Sequence, residues 1–247
     1  MNHADAREIR TLVQKIAAAQ FLSSGGKEGP TQIAAFAGKL EGFTSAVRLS
    51  RPVEGIAYAR SIGETLPAVE EESGQYTPAL KPVIGRLAAI SRFSTAYPDL
   101  HKGPCQDHIR TQLELISYQI EQGLYPQAVT LAREWMVTVL ICAVGAGSKW
   151  LDRSVRAEAE RTLSGGALKA KGSWYELAEY SDWFESRNDW KEYSKTWDRI
   201  TDIRNDIAHC GMNDKEQKAS KLELRVKNIK KDLSSFADTL LPTLHKH

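Results

Sequence analysis

Apolar residues recur every three or four positions through almost the whole chain, and no convincing stretch of strict alternation interrupts them. No other feature restricts the fold so strongly. Spacing of that kind gathers apolar side chains on one helix face, whereas a half-buried strand needs a period of two. Over residues 5–22, Ile9, Leu12, Val13 and Ile16 follow the helical period. "SSGGKEGP" ends that helix, and Pro30 suits the first turn of the next, which runs to about Leu49. Arg51-Pro52 opens a third helix that fades into "EEESGQYTP". A fourth carries "ALKPVIGRLAAISRF", with Pro82 tolerable only in its opening turn. The expected class is all-α.

"YPDLHKGPCQD", with two prolines and a glycine, is the best internal boundary. It separates an N-terminal helical segment, residues 1–100, from a helical domain, residues 101–247. The second part opens with "HIRTQLELISYQIEQG", turns a tight corner at Gly123–Pro126, and enters the strongly apolar "QAVTLAREWMVTVLICAVGAG". A short helix at "SVRAEAERTL" is expected to give way to an exposed loop at "SGGALKAKGS". Helix is expected again through "WYELAEYSDWFE" and "WKEYSKTWDRITDIRNDIAH". In the last helix, Leu222, Val226, Ile229, Leu233 and Phe236 form one stripe.

Bulk properties narrow the functional classes. A chain of 247 residues is long enough to bury a core as one large domain or two modest ones. The formal net charge of +2 creates no global basic field, so a nucleic-acid partner would have to be held by a local patch. Cys105, Cys142 and Cys210 are too few and too scattered for a disulfide framework, which favours a reducing cytosol. The charged "MNHADAREIRTLVQK" is no signal peptide, and the apolar run Trp135–Gly147 is too short to span a bilayer. A soluble cytoplasmic protein with no membrane partner is therefore expected. No glycine-rich strand–turn–helix fingerprint is present, so no nucleotide cofactor is expected. His101, Cys105 and His108 have metal-like spacing, but zinc requires four ligands and no paired C-x-x-C exists. A linker describes that stretch better, and no metal site is assigned.

The stretch "ITDIRNDIAHCGMND" carries more chemistry than any other. At about 100° per residue, His209 falls about 140° and Asn205 about 100° from Arg204, while Ile200, Ile203 and Ile207 cluster on the opposite side. Asp206 lies at the rim of the outward arc, and Asn205 and His209 are four apart and can touch. A guanidinium grips a phosphate in two-pronged fashion and offsets charge growing on its oxygens. An imidazole moves a proton to or from a ribose 2′-hydroxyl or a leaving oxygen near neutral pH. The plain alternative is a helix end: Gly211 reads as the residue following the C-cap, and a histidine in a last turn suits the helix dipole.

"RNDIAH" resembles the R-x4-6-H signature of HEPN (higher eukaryotes and prokaryotes nucleotide-binding) domains, with Asn directly after Arg. "LYPQAVTLAREWMVTVLICAVG" looks like the first core helix of such a domain, and "KTWDRITDIRNDIAHCGM" like its motif helix. From about Ile9 onward the chain resembles the helical half of CRISPR-associated CARF–HEPN ribonucleases, including an "LS…RP" corner at "VRLSRPVEGIAYARSI". Those relatives usually carry an N-terminal Rossmann-like sensor of cyclic oligoadenylate, whereas this sequence begins with an expected helix. A fragment, a sensor in a separate polypeptide, or function without one would each account for that.

The resemblance implies a HEPN-type helical bundle preceded by an additional helical segment. It also implies a metal-independent endoribonuclease acting on single-stranded RNA at a cleft shared by two subunits, in CRISPR-linked or toxin-type antiviral defence. Carried over, Arg204 and His209 form the catalytic pair, Asn205 positions them and Asp206 tunes the histidine. The expected partners are single-stranded RNA, a second copy of the chain, and a separate nucleotide-sensing subunit or an antitoxin. A non-catalytic helical module that binds RNA or protein, or that only dimerises, is the competing class.

Other residues carry weaker signals. Glu134, in the apolar core helix, is a candidate partner for a basic group near the cleft, with a structural ion pair as the alternative. Lys227 and Lys231 share a face of the last helix and are candidates for tracking an RNA backbone, with a solvated face as the alternative. The series Trp174, Tyr175, Tyr180, Trp183, Phe184, Trp190, Tyr193 and Trp197 is expected mainly to build core and dimer packing, with base stacking as the second reading.

Overall fold

A computed structural model describes residues 31–76, 84–85, 88–94, 104, 106–212 and 217–240, together with Thr11, Gln14 and Lys15. The fold is all-α, with no strand among the described residues. Apart from those three residues, the helix expected over 5–22 lies outside this set, as do most of the fourth expected helix and of the "YPDLHKGPCQD" break. No helix among the described residues is long and apolar enough to cross a membrane. The chain divides into two compact units, Met1–Tyr97 and Pro98–His247.

In the first unit, α1 (Thr31–Arg48) and α2 (Pro52–Tyr76) form an antiparallel hairpin. The corner between them follows from backbone geometry. Ser50 adopts a left-handed φ of 52°, its amide donates to the Val47 carbonyl, and the Arg51 amide donates to that of Ala46. Pro52 then begins α2, where its missing amide hydrogen loses no helical bond. Phe36, Leu40 and Phe43 from α1, and Ile56, Ala59 and Ile62 from α2, are buried at 2% exposure or less. Gly42 lets the helices close, since a Cβ there would lie 2.3 Å from the Tyr58 ring. At the far end, Glu72 accepts from the Ile33 amide at 2.6 Å and so satisfies an orphan donor of α1. The acidic stretch read as the fading of this helix is helical as far as Tyr76.

The second unit comprises α3 (Gln106–Glu121), α4 (Tyr125–Ala143), α5 (Arg153–Ala170), the short α6 (Ser181–Glu185), α7 (Trp190–Ala208) and α8 (Ala219–Leu240). Gly123, at φ 70°, closes the α3–α4 corner, and Pro126 sits in the first turn of α4. α4 is apolar nearly all round and packs against α3, α5, α7 and α8, so it is the centre of the core. Trp135 is fully buried and donates its indole N–H to the Ile109 carbonyl at 2.9 Å. The Tyr193 hydroxyl donates to the Met136 carbonyl at 3.2 Å, and the Trp197 indole to Ser164 Oγ at 3.2 Å. These three aromatics thus enter the core with their polar atoms satisfied.

Two sequence expectations fail here, for one physical reason. "SGGALKAKGS" is not a loop through its length: α5 continues to Ala170, with Gly165, Gly166 and Ala167 buried. A Cβ on Gly165 would lie 2.8 Å from the Tyr175 ring, and one on Gly166 2.6 Å from Phe184 and 2.8 Å from Ser194 Oγ. The glycines are therefore contact points that let α6, α7 and the preceding segment approach α5, and packing outweighs their poor helix propensity. Conversely, "WYELAEYSDWFE" is helical only from Ser181 to Glu185. Residues 173–178 form an irregular segment, anchored where Tyr175 lies on Gly165.

Candidate active site

α7 has its N-terminal half locked into the core by Tyr193 and Trp197, both 2% exposed, and by Ile200 and Ile203, both 0%. Its C-terminal end carries the motif. Arg204, Asn205 and His209 are all exposed, with Ala208 between them also exposed. Ile207, expected in the core stripe, is half-buried, and Asp206, expected at the rim, is 8% exposed. Asp206 is thus turned toward the protein, while His209 faces water.

The helix end has a defined geometry. His209 is the C-cap (φ −88°, ψ 6°), and Cys210 follows in the left-handed region at φ 53°. The Cys210 amide donates to the Ile207 carbonyl at 3.1 Å, and the Gly211 amide to that of Asp206 at 3.1 Å. This is the Schellman pattern, in which one residue must adopt left-handed backbone. That residue is Cys210 rather than the expected Gly211, which comes next with its own φ of 70°. A non-glycine residue there carries backbone strain of about 1–2 kcal/mol. The strained turn directly follows His209.

Arg204 Nη1 donates to Asn205 Oδ1 at 3.2 Å, so the amide orients the guanidinium. Asn205 was read as a contact for His209, but among the described residues no hydrogen bond joins those two side chains. The imidazole has no side-chain hydrogen bond or ion pair among them at all, which leaves both ring nitrogens available to a ligand.

Glu134 belongs to a different cluster. It accepts from Arg156 at 2.7 Å and from Arg133 at 3.3 Å, and Arg133 also pairs with Glu160. Arg156 further donates to the Trp150 carbonyl at 2.9 Å and to Thr138 Oγ1 at 3.2 Å. The Arg133 guanidinium lies 4.8 Å from the centre of the Trp197 ring. Trp197 precedes Arg204 by seven residues, about 10 Å along the helix. The Glu134 network thus ties α4 to α5 and braces the middle of α7.

Lys227 and Lys231 are exposed on α8, and Lys227 faces Glu223 at 4.0 Å. The sequence pattern assigned no role to Arg225. It donates to Asp202 at 2.6 Å and joins α8 to α7 one turn before Arg204 and Asn205. The signal was present, since Arg225 is spaced three and four residues from Leu222 and Ile229 of the core stripe. Of the three residues with metal-like spacing, His101 and Cys105 lie outside the described residues, and His108 is fully buried in α3, its Nδ1 3.1 Å from Gln112 Nε2. Among the described residues no group of three or more His, Cys, Asp or Glu could hold a metal ion. Burial pushes the Cys142 thiol up to about 12, which removes it as a nucleophile.

No protein-family model matches this chain, and no curated protein does.

Proposed function

We propose that the chain is an endoribonuclease of the HEPN type that cleaves single-stranded RNA without a metal ion at a site built around Arg204 and His209. The observation that carries the reading is the pairing of an exposed guanidinium, oriented by Asn205, with an exposed imidazole that has no side-chain partner among the described residues, five residues apart at one helix end. A scaffold has no need of either property. In the reaction, the His209 imidazole takes the proton of a ribose 2′-hydroxyl, and the 2′-oxygen attacks the adjacent phosphorus. The bond to the 5′-oxygen breaks, that oxygen takes up a proton, and the products are a 2′,3′-cyclic phosphate and a 5′-hydroxyl. The Arg204 guanidinium offsets charge on the phosphoryl oxygens as the fifth bond forms.

One Arg and one His reach only part of a phosphate, so the reading includes a second copy of the chain whose motif helix completes the cleft and supplies the proton to the leaving oxygen. The setting proposed is cytoplasmic, in CRISPR-linked or toxin-type defence, with a nucleotide-sensing subunit or an antitoxin as the controlling partner. The test is cleavage of end-labelled single-stranded RNA in EDTA by the wild type, Arg204→Ala and His209→Ala. Metal-independent cleavage should fall by about 10²–10⁴-fold in each variant, the range of a lost proton-transfer or oxyanion-stabilising group. Equal cleavage by all three would identify a contaminant and end the proposal. RNA binding without cleavage would establish the non-catalytic module instead.

A further inference from the structure

Beyond the motif, the face of α7 that carries His209 continues toward the helix start. Relative to Lys191, residues 195, 198, 202, 205 and 209 all lie within about 40° on the helical wheel. The stripe therefore reads Lys191, Lys195, Asp198, Asp202, Asn205, His209, over about 27 Å. Its two acids are neutralised from neighbouring helices: Lys171 holds Asp198 at 2.6 Å, and Arg225 holds Asp202 at 2.6 Å. Lys191 and Lys195 are exposed and have no ion pair among the described residues. A polyanion laid along this face meets neutralised acids in the middle and free cations at the end remote from His209.

That remote end is also aromatic. Lys169, ion-paired with Glu185, has its Nζ 5.7 Å from the centre of the Trp190 ring and 5.8 Å from that of Tyr175, whose hydroxyl also donates to Glu185. Lys191 Nζ lies 5.7 Å from the same Trp190 ring. Trp174, next to Tyr175, is 86% exposed. An indole left that open is not part of the chain's own core, so of the two packing roles expected for it only a contact with a second copy remains. Phe184, Tyr193 and Trp197 do pack inside.

We infer that Trp174, Tyr175 and Trp190, with Lys191 and Lys195, form a platform that stacks bases and holds the backbone of single-stranded RNA running along α7 from the His209 end. Rings supply sequence-tolerant stacking and lysines neutralise phosphates, the combination by which single strands are bound without base reading. This deepens the ribonuclease reading by assigning where the strand lies outside the cleft.

The test measures fluorescence anisotropy of labelled single-stranded RNAs of about 4 and about 16 nucleotides, the ends of the range covered by single-strand grooves. The protein carries His209→Ala, so that cleavage does not consume the probe. Trp174→Ala in this background should weaken binding of the longer RNA about tenfold, the loss of one stacked base. The pair Lys191→Ala and Lys195→Ala should reduce the slope of log affinity against log salt by about 1.4, two phosphate contacts on a single strand, while Lys149→Ala leaves it unchanged. A purely structural role would not move that slope. Unchanged affinity and slope in the variants overturn the platform. So does a change in assembly mass on Trp174→Ala with RNA affinity intact, which would assign the surface to a protein contact. The cleavage assay separates this from the catalytic reading: a wild type that cuts, with variants that bind like their parent, refutes the platform alone. A wild type that never cuts, with variants that bind weakly, refutes only the nuclease.

Discussion

Glycine-to-alanine substitution at two helix-interior positions, Gly38 in α1 and Gly166 in α5, should have opposite effects on stability. Alanine in a helix interior is favoured over glycine by about 1 kcal/mol, because it restricts the unfolded chain and shields the backbone. At Gly38 a Cβ meets nothing within 4 Å, so Gly38→Ala should gain that amount in full. At Gly166 the same methyl group would lie 2.6 Å from Phe184 and 2.8 Å from Ser194 Oγ, well inside ordinary contact. Phe184 is 2% exposed and Ser194 fully buried, so neither has free space to enter. Overpacking of this kind costs about 1–3 kcal/mol, and subtracting the propensity gain leaves a net loss of up to about 2 kcal/mol. Urea unfolding followed by far-UV circular dichroism reads the two signs directly. If Gly166→Ala stabilises the protein as Gly38→Ala does, the close approach of α5 to α6 and α7 is wrong, and so is the placement of the motif helix that rests on it.

Further outcomes follow from the helix end and the buried polar groups. Cys210→Gly should stabilise the protein by about 0.5–1 kcal/mol, since glycine relieves the left-handed strain at some cost in unfolded-state entropy; thermal unfolding would check it. Burial pushes His108 down to about 4 from its ordinary 6.5, so the folded state keeps the imidazole neutral while the unfolded chain takes up a proton below 6.5. Stability should therefore fall by about 2 kcal/mol between pH 7 and pH 5, and His108→Gln should remove that part of the dependence in urea titrations at the two pH values. Arg204→Lys keeps the charge but loses the planar two-pronged grip, so RNA cleavage should stay near the Arg204→Ala level rather than the wild-type level in the EDTA assay.

How much of the site was legible depended on how local each property is. Exposure of Arg204, Asn205 and His209 follows from 100° per residue and the isoleucine stripe, which need no knowledge of neighbouring helices. The burial of Asp206 and the Asp202–Arg225 pair depend on what lies across from α7, and one helix's wheel does not contain that. The Arg204–Asn205 bond is a rotamer choice between adjacent residues, which periodicity does not describe.

The sequence alone determined that the chain is helical, that it turns at Arg51-Pro52 and Gly123–Pro126, and which end of α7 gathers an arginine and a histidine on the water side. Those are consequences of backbone sterics and of a period repeated over many residues. Tertiary structure decided the rest. Two glycines that ordinarily interrupt a helix became its closest contacts because Tyr175 and Phe184 lie on them. A segment with helical composition stayed irregular where its tyrosine packs against α5. Trp174 remained in water while Phe184, Tyr193 and Trp197 went inside. In each case the energy of fitting side chains against a neighbouring element exceeded the few tenths of a kcal/mol per residue, or roughly 1 for glycine, that local preference supplies.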